Sequence, residues 1–132
     1  MNNLVQQNRL FDQRPVVLNT LNLSRPADGE PALLTLDEVT TLFHEFGHAL
    51  HGLFSNASYE ALAGTRVPRD FVEFPSQVNE MWILWPEVVQ NYARHHVTGE
   101  PIDPQLLERL ADSSLFNQGF MTAEYLGAAL LD

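Results

Sequence analysis

The chain has 132 residues, 45% of them hydrophobic, which is room for one domain with a modest core. Seventeen acidic against seven basic residues give a formal net charge of -10, a sign that argues against binding nucleic acid or anionic membrane surfaces. With no cysteine, disulfides, thiolate metal sites and cysteine nucleophiles are excluded.

Residues 1–14 are polar and rich in Gln and Asn, with a weak helical pattern at best and no apolar segment of the secretory kind. The stretch PVVLNTLN (15–22) predicts an extended segment, and SRPADGEP (24–31) a loop. ALLTL (32–36) predicts a second short strand pairing back across that loop, so a hairpin or strand pair is expected at the N-terminal end.

From there the pattern is helical. Thr35 and Glu38 fit a capping box at the start of a helix that should end near Phe54. Val39, Leu42, Phe46, Leu50 and Leu53 predict its core face, while Thr41, His44, Glu45, His48 and His51 gather on the other side. A long loop (55–69) with Gly64 and Pro68 as breakers leads to a second helix over about 70–84. Asp70 would cap that helix well, but Pro75 would then lie inside it and kink it. Trp82 and Trp85 fall at helical spacing and are expected in the core. A third helix opens at Pro86 and closes by Gly99, a fourth begins at Asp103-Pro104, and Ser113 or Ser114 would cap a fifth. That last helix still shows apolar periodicity at its end, with no stop signal. No apolar run approaches the ~20 residues of a membrane span, so a soluble, cytoplasmic location is expected.

The chemistry sits in His44-Glu45-Phe46-Gly47-His48, an HExxH motif. Residues four apart project from one helix face, so both imidazoles can reach one zinc ion. Glu45 lies about 100° further round, placed to act as general base on water acidified by the metal. The bland alternative is a solvated face that happens to carry histidines. Catalytic zinc needs a third protein ligand. His51 cannot supply it from the same straight helix, and the residue at position 54 is Phe where a longer HExxHxxGxxH pattern would need His. Spacing favours Glu73, with Glu80 behind it and His95 or His96 as further choices. Ser76, Gln77 and Glu80 stand one to two turns past Glu73 and are candidates to hydrogen-bond a ligand imidazole. Gly47, unfavourable inside a helix, points to close packing there.

The motifs HEFGHALH (44–51), Gly64-Thr65 and DFVEFPSQ (70–77) resemble the thimet oligopeptidase family of zinc peptidases. The segments LFHEFGHALHGLF, PRDFVEFPSQVNE and SSLFNQGF are similar to its bacterial peptidyl-dipeptidase branch. The resemblance implies one zinc ion held by His44, His48 and Glu73, with Glu45 as general base. It also implies hydrolysis of oligopeptides with release of C-terminal dipeptides. His51, Gly64 and Thr65 become candidates for lining the substrate channel, although the residues that contact substrate remain unassigned. An endo-acting oligopeptidase and a non-catalytic, metal-binding helical fragment are the alternatives.

The implied fold is mainly α: a zincin-like helical catalytic subdomain with a short N-terminal strand pair, part of a larger two-lobed helical enzyme. Residues 1–132 would be a partial catalytic domain, with 1–36 an extended and loop segment and 37–132 the helical zinc-site segment. The rest of the same polypeptide would then be its structural partner, carrying the transition-state-stabilising groups. Alone, this chain would be weakly active or inactive.

Overall fold

The computed structural model describes residues 1–131. Its first element is an antiparallel strand pair, β1 (Asn2–Val5) and β2 (Val16–Leu18), with Asn3 opposite Val17 and a register shift between Asn3 and Val5. β2 is the expected extended segment, but its partner is β1 and not residues 32–36. Local hydrogen bonds explain the difference. The amide of Thr35 donates to Glu38 Oε2 at 2.7 Å and that of Leu33 to the Pro31 carbonyl at 3.1 Å. Both donors are thus committed to a turn and a helix cap instead of a ladder. Between the strands, a 3-10 turn at Arg9–Phe11 is capped by the Asn8 side chain. The buried Gln7 accepts from the Ala57 amide at 2.7 Å, tying the 55–64 loop to the N-terminal segment.

Helix α1 (Leu36–Leu53) starts as its sequence requires. Thr35 Oγ1 accepts from the Glu38 amide at 3.2 Å while the Glu38 carboxylate reaches back, so two otherwise unpaired donors are satisfied reciprocally. Asp37 and Glu38 in the first turn complement the helix dipole. The buried face differs from the expected stripe: Gly47, Ala49 and Gly52 are buried, whereas Phe46 and Leu53 are 49% and 45% exposed. Two of these buried positions are glycines because neighbouring atoms come too close for a side chain: backbone of Pro75 and Ser76 at Gly47, and side chains of the strand pair at Gly52. A Cβ on Gly52 would stand 2.8 Å from Asn3 Oδ1 and 3.1 Å from Val17 Cγ2, so the strand pair rests directly on α1 there.

The single helix expected over 70–84 is two helices, α2 (Arg69–Val72) and α3 (Phe74–Glu80). The break falls at Glu73 (φ -84°, ψ -8°), which puts Pro75 in the first turn of α3, where its missing N–H breaks no bond. After α3 the chain tightens into 3-10-type turns, with Trp82 bonded to the Asn79 carbonyl and Ile83 to that of Glu80. Trp82 and Trp85 meet edge to face at 5.8 Å but are about half exposed, not the core residues their spacing implied.

The chain divides into two compact units, Met1–Trp85 and Pro86–Asp132. Within the second lie α4 (Pro86–Tyr92), α5 (Pro104–Ser113) and α6 (Gln118–Leu131). Asp103 caps α5 by accepting from the Gln105 amide at 2.9 Å. α4 stops at Tyr92, ahead of the turn in which Gly99 adopts φ +72°. Ser113 and Ser114 end α5 instead of capping α6: their hydroxyls donate back to the Leu110 and Ala111 carbonyls. No helix among the described residues is long and apolar enough to cross a membrane.

Candidate metal centre

α1 and α3 pack side by side, and Glu73 sits at the head of α3. One turn of α1 presents His44 and His48, whose rings meet edge to face at 4.9 Å. A single carboxylate oxygen, Glu73 Oε2, lies 3.2 Å from His44 Nε2 and 3.1 Å from His48 Nε2. One donor atom from each of the three residues falls within 4.8 Å of the others. Ligand atoms bound tetrahedrally to zinc at about 2.0–2.1 Å stand roughly 3.3 Å apart, close to the two spacings found here.

Proton placement bears on the fit. His44 Nδ1 lies 2.6 Å from Glu80 Oε1, and a carboxylate can only accept, so Nδ1 carries the hydrogen. In the neutral ring Nε2 is then a bare lone pair facing the lone pairs of Glu73. Two acceptors at 3.2 Å repel each other unless a cation lies between them or the ring is protonated. The donor set of two imidazoles and one carboxylate therefore fits zinc. His48 differs: its Nδ1 is buried without a hydrogen-bond partner among the described residues.

Ser76 is fully buried, and its hydroxyl lies 2.9 Å from Glu73 Oε2 and 2.8 Å from the Glu73 carbonyl, so it holds the carboxylate from behind. Gln77 is exposed and makes no side-chain hydrogen bond to the cluster. Glu80, considered as a third ligand, instead addresses the opposite nitrogen of His44. His95 and His96 lie in the other unit, where His95 Nδ1 accepts from the Thr98 amide. Asn79 was not singled out by sequence, yet its Nδ2 donates to the Phe43 carbonyl at 2.6 Å. An amide one residue before Glu80, on the α1-facing side of α3, was the available signal.

Glu45 faces a small cavity of about 300 Å³ that it shares with Met1, His48, Thr65 and Val72. Its Oε2 accepts from the Met1 amino group at 2.6 Å. That hydrogen bond holds the Glu45 carboxyl below its ordinary range against the opposing effect of burial, with the charges of the amino group, His48 and His44 adding to it. Thr65 is thus a near neighbour of Glu45 and His48. His51 and Gly64 line a different, larger and mostly apolar cavity of about 680 Å³ with Phe54, Phe71, Phe74 and Trp82. His51 meets Phe71 edge to face at 6.0 Å, and burial, with help from His48, lowers its pKa. Gly64 takes φ +58°, and its amide donates to Ser55 Oγ at 2.8 Å, closing the loop over Gly52.

Two facing helices that bring two histidines and a glutamate within reach of one another form a candidate metal site of the kind a metallopeptidase needs. The profile of Peptidase family M3 matches residues 1–132, and the chain belongs to that family. Over its whole length it is 55% identical to a dipeptidyl carboxypeptidase of Salmonella typhimurium and 52% identical to one of Escherichia coli, covering 19% of each. It is 39% identical over 136 aligned residues to oligopeptidase A of Escherichia coli, covering 20% of that protein. The chain therefore spans about a fifth of the length of these curated relatives.

Proposed function

We propose that this chain supplies the zinc site and general base of a peptidase that hydrolyses oligopeptides and releases C-terminal dipeptides. The observation that carries the reading is the shared position of Glu73 Oε2 beside both His44 Nε2 and His48 Nε2. His44, His48 and Glu73 would hold one zinc ion, oriented by Glu80 at His44 Nδ1 and by Ser76 at the Glu73 carboxylate. Bound there, zinc supplies a Lewis acid that polarises a peptide carbonyl and acidifies water. Glu45 does the proton work. Its carboxylate, on the cavity it shares with His48 and Thr65, accepts a proton from water attacking the peptide carbon. The same carboxyl then returns that proton to the leaving amine. Thr65 borders the space in which this occurs.

Release of dipeptides rests on the two dipeptidyl carboxypeptidases among the relatives. An endo-acting oligopeptidase is the second reading, favoured by the match to oligopeptidase A. A purely structural metal site has no use for a carboxylate at position 45, which weighs against a non-catalytic fragment. Residues 1–132 form part of a catalytic domain in this reading. The oxyanion donors come from elsewhere in a longer polypeptide, which this reading places in the cytoplasm; the coverage of about a fifth supports the greater length.

Glu45→Gln in the complete natural polypeptide tests the assignment. Peptide hydrolysis should fall about 10²–10⁴-fold, the usual worth of a general base, with one zinc per chain retained. Equal turnover by the two proteins would end it. A cleavage map of a blocked hexapeptide separates dipeptide release from internal cutting.

A further inference from the structure

We propose that Asn79 is a positioning residue for the metal centre: its side-chain amide, together with the bare Cα of Gly47, sets the α1–α3 spacing at which His44, His48 and Glu73 converge. The inference rests on the zinc-site reading and adds to it a device that holds the two ligand-bearing helices in register.

Asn79 Nδ2 donates to the Phe43 carbonyl at 2.6 Å, and the next residue, Glu80, meets His44 Nδ1 at 2.6 Å. Two consecutive residues of α3 thus grip two consecutive residues of α1. The carbonyl can only accept, so the amide nitrogen must be the atom facing it, and the orientation of the Asn79 side chain is settled chemically. A short side chain can span between two helix backbones only if the helices lie unusually close. Gly47 provides that closeness. A Cβ on Gly47 would stand 2.6 Å from Ser76 Cα, 2.7 Å from the Pro75 carbonyl oxygen and 2.9 Å from Asn79 Cβ. Two of these three are backbone atoms and cannot swing aside.

The clasp lies beside the ligands on both helices. Gly47 sits directly before His48, Phe43 directly before His44, and Pro75 and Ser76 follow Glu73 within one turn. A productive metal site tolerates errors of only about 0.5 Å in its ligands. A shift of α3 along or away from α1 carries Glu73 with it, while His44 and His48 stay on α1. The Asn79 bond resists the sliding component of that shift, and the Gly47 contact defines the distance of closest approach.

Asn79→Asp tests this, because it keeps size and shape while replacing the donor with an acceptor that faces a carbonyl. The measurements are zinc affinity by chelator competition and the visible absorption of the cobalt-substituted protein. Both are made on the complete natural polypeptide, well below its melting temperature. Zinc affinity should fall about 10–100-fold, the range for residues that orient metal ligands, and the cobalt bands should shift. Gly47→Ala should act in the same direction, and the double variant should lose less than the sum, because both changes act on one gap. If Asn79→Asp does not fold, Asn79→Ser removes the amide without adding charge and carries the same expectation. Affinity within about twofold of the parent with unchanged cobalt bands, even with a lowered melting temperature, would reduce Asn79 to ordinary packing and overturn the proposal. A parent protein that binds no zinc would overturn the metal-site reading itself, a result distinct from a parent that binds and a variant that binds equally well.

Discussion

His44 is approached by two carboxylates that address different atoms of its ring. Glu73 lies at Nε2 and Glu80 at Nδ1, 3.2 and 2.6 Å away. Each makes a different prediction. If Glu73 is a ligand as proposed, Glu73→Ala should drop zinc content from one per chain toward zero after dialysis, read by atomic absorption. Glu80→Ala leaves the ligand set whole but frees the His44 ring, and affinity should fall about 10–100-fold. Glu80→Gln should fall less, because an amide oxygen can still accept from Nδ1. Spacing along the sequence favours Glu73 over Glu80 as the ligand and offers Glu80 as a partner for a ligand imidazole, but either can face α1, so it does not say which ring nitrogen each would address. What separates them is the break at Glu73, which lifts that residue to the head of α3 while leaving Glu80 two turns along.

Elements here begin and end for local reasons, and these were the most legible features. Thr35 and Glu38 announce the start of α1, and Asp103 with Pro104 that of α5. Thr35→Ala should cost about 1 kcal/mol of stability by urea denaturation and leave zinc affinity unchanged, because the cap lies more than two turns before His44. The packing faces were less legible. Hydrophobic periodicity placed Phe46 and Leu53 in the core, yet the buried positions of α1 are Gly47, Ala49 and Gly52. Periodicity registers side-chain polarity, whereas close helix–helix and helix–strand approach selects for small volume. Ser113 and Ser114 show a related ambiguity: a serine hydroxyl can cap the next helix or bond back into the one before, and here it does the latter.

At the scale of the molecule, large apolar side chains remain in water. Phe11, Phe54, Phe116 and Tyr125 are each at least 75% exposed, and Leu130 and Leu131 more so. Exposed apolar surface of this extent marks faces that pack against something. The 132-residue chain in isolation should therefore bind a hydrophobic dye and self-associate at micromolar concentration, as size-exclusion chromatography would reveal. It should also turn over peptides at least about 10²-fold more slowly than the complete natural polypeptide, because stabilisation of the oxyanion is commonly worth 10²–10³ in turnover. Activity equal to the complete protein would show that these 132 residues carry all the machinery.

Residue order alone determined whatever depends on neighbours within a turn or two: the capped start of α1, the pairing of His44 with His48 on one face, Glu45 beside them, and the acidic, cysteine-free character of the chain. Those follow from helix geometry and side-chain chemistry, which act over a few residues. Tertiary structure decided the rest: that β2 pairs with β1, that Glu73 and Glu80 divide the two nitrogens of His44, and that Asn79 and Gly47 bring α3 against α1. Such choices depend on distances between segments tens of residues apart. No local preference encodes those distances, because they arise only when several surfaces compete to exclude water at once.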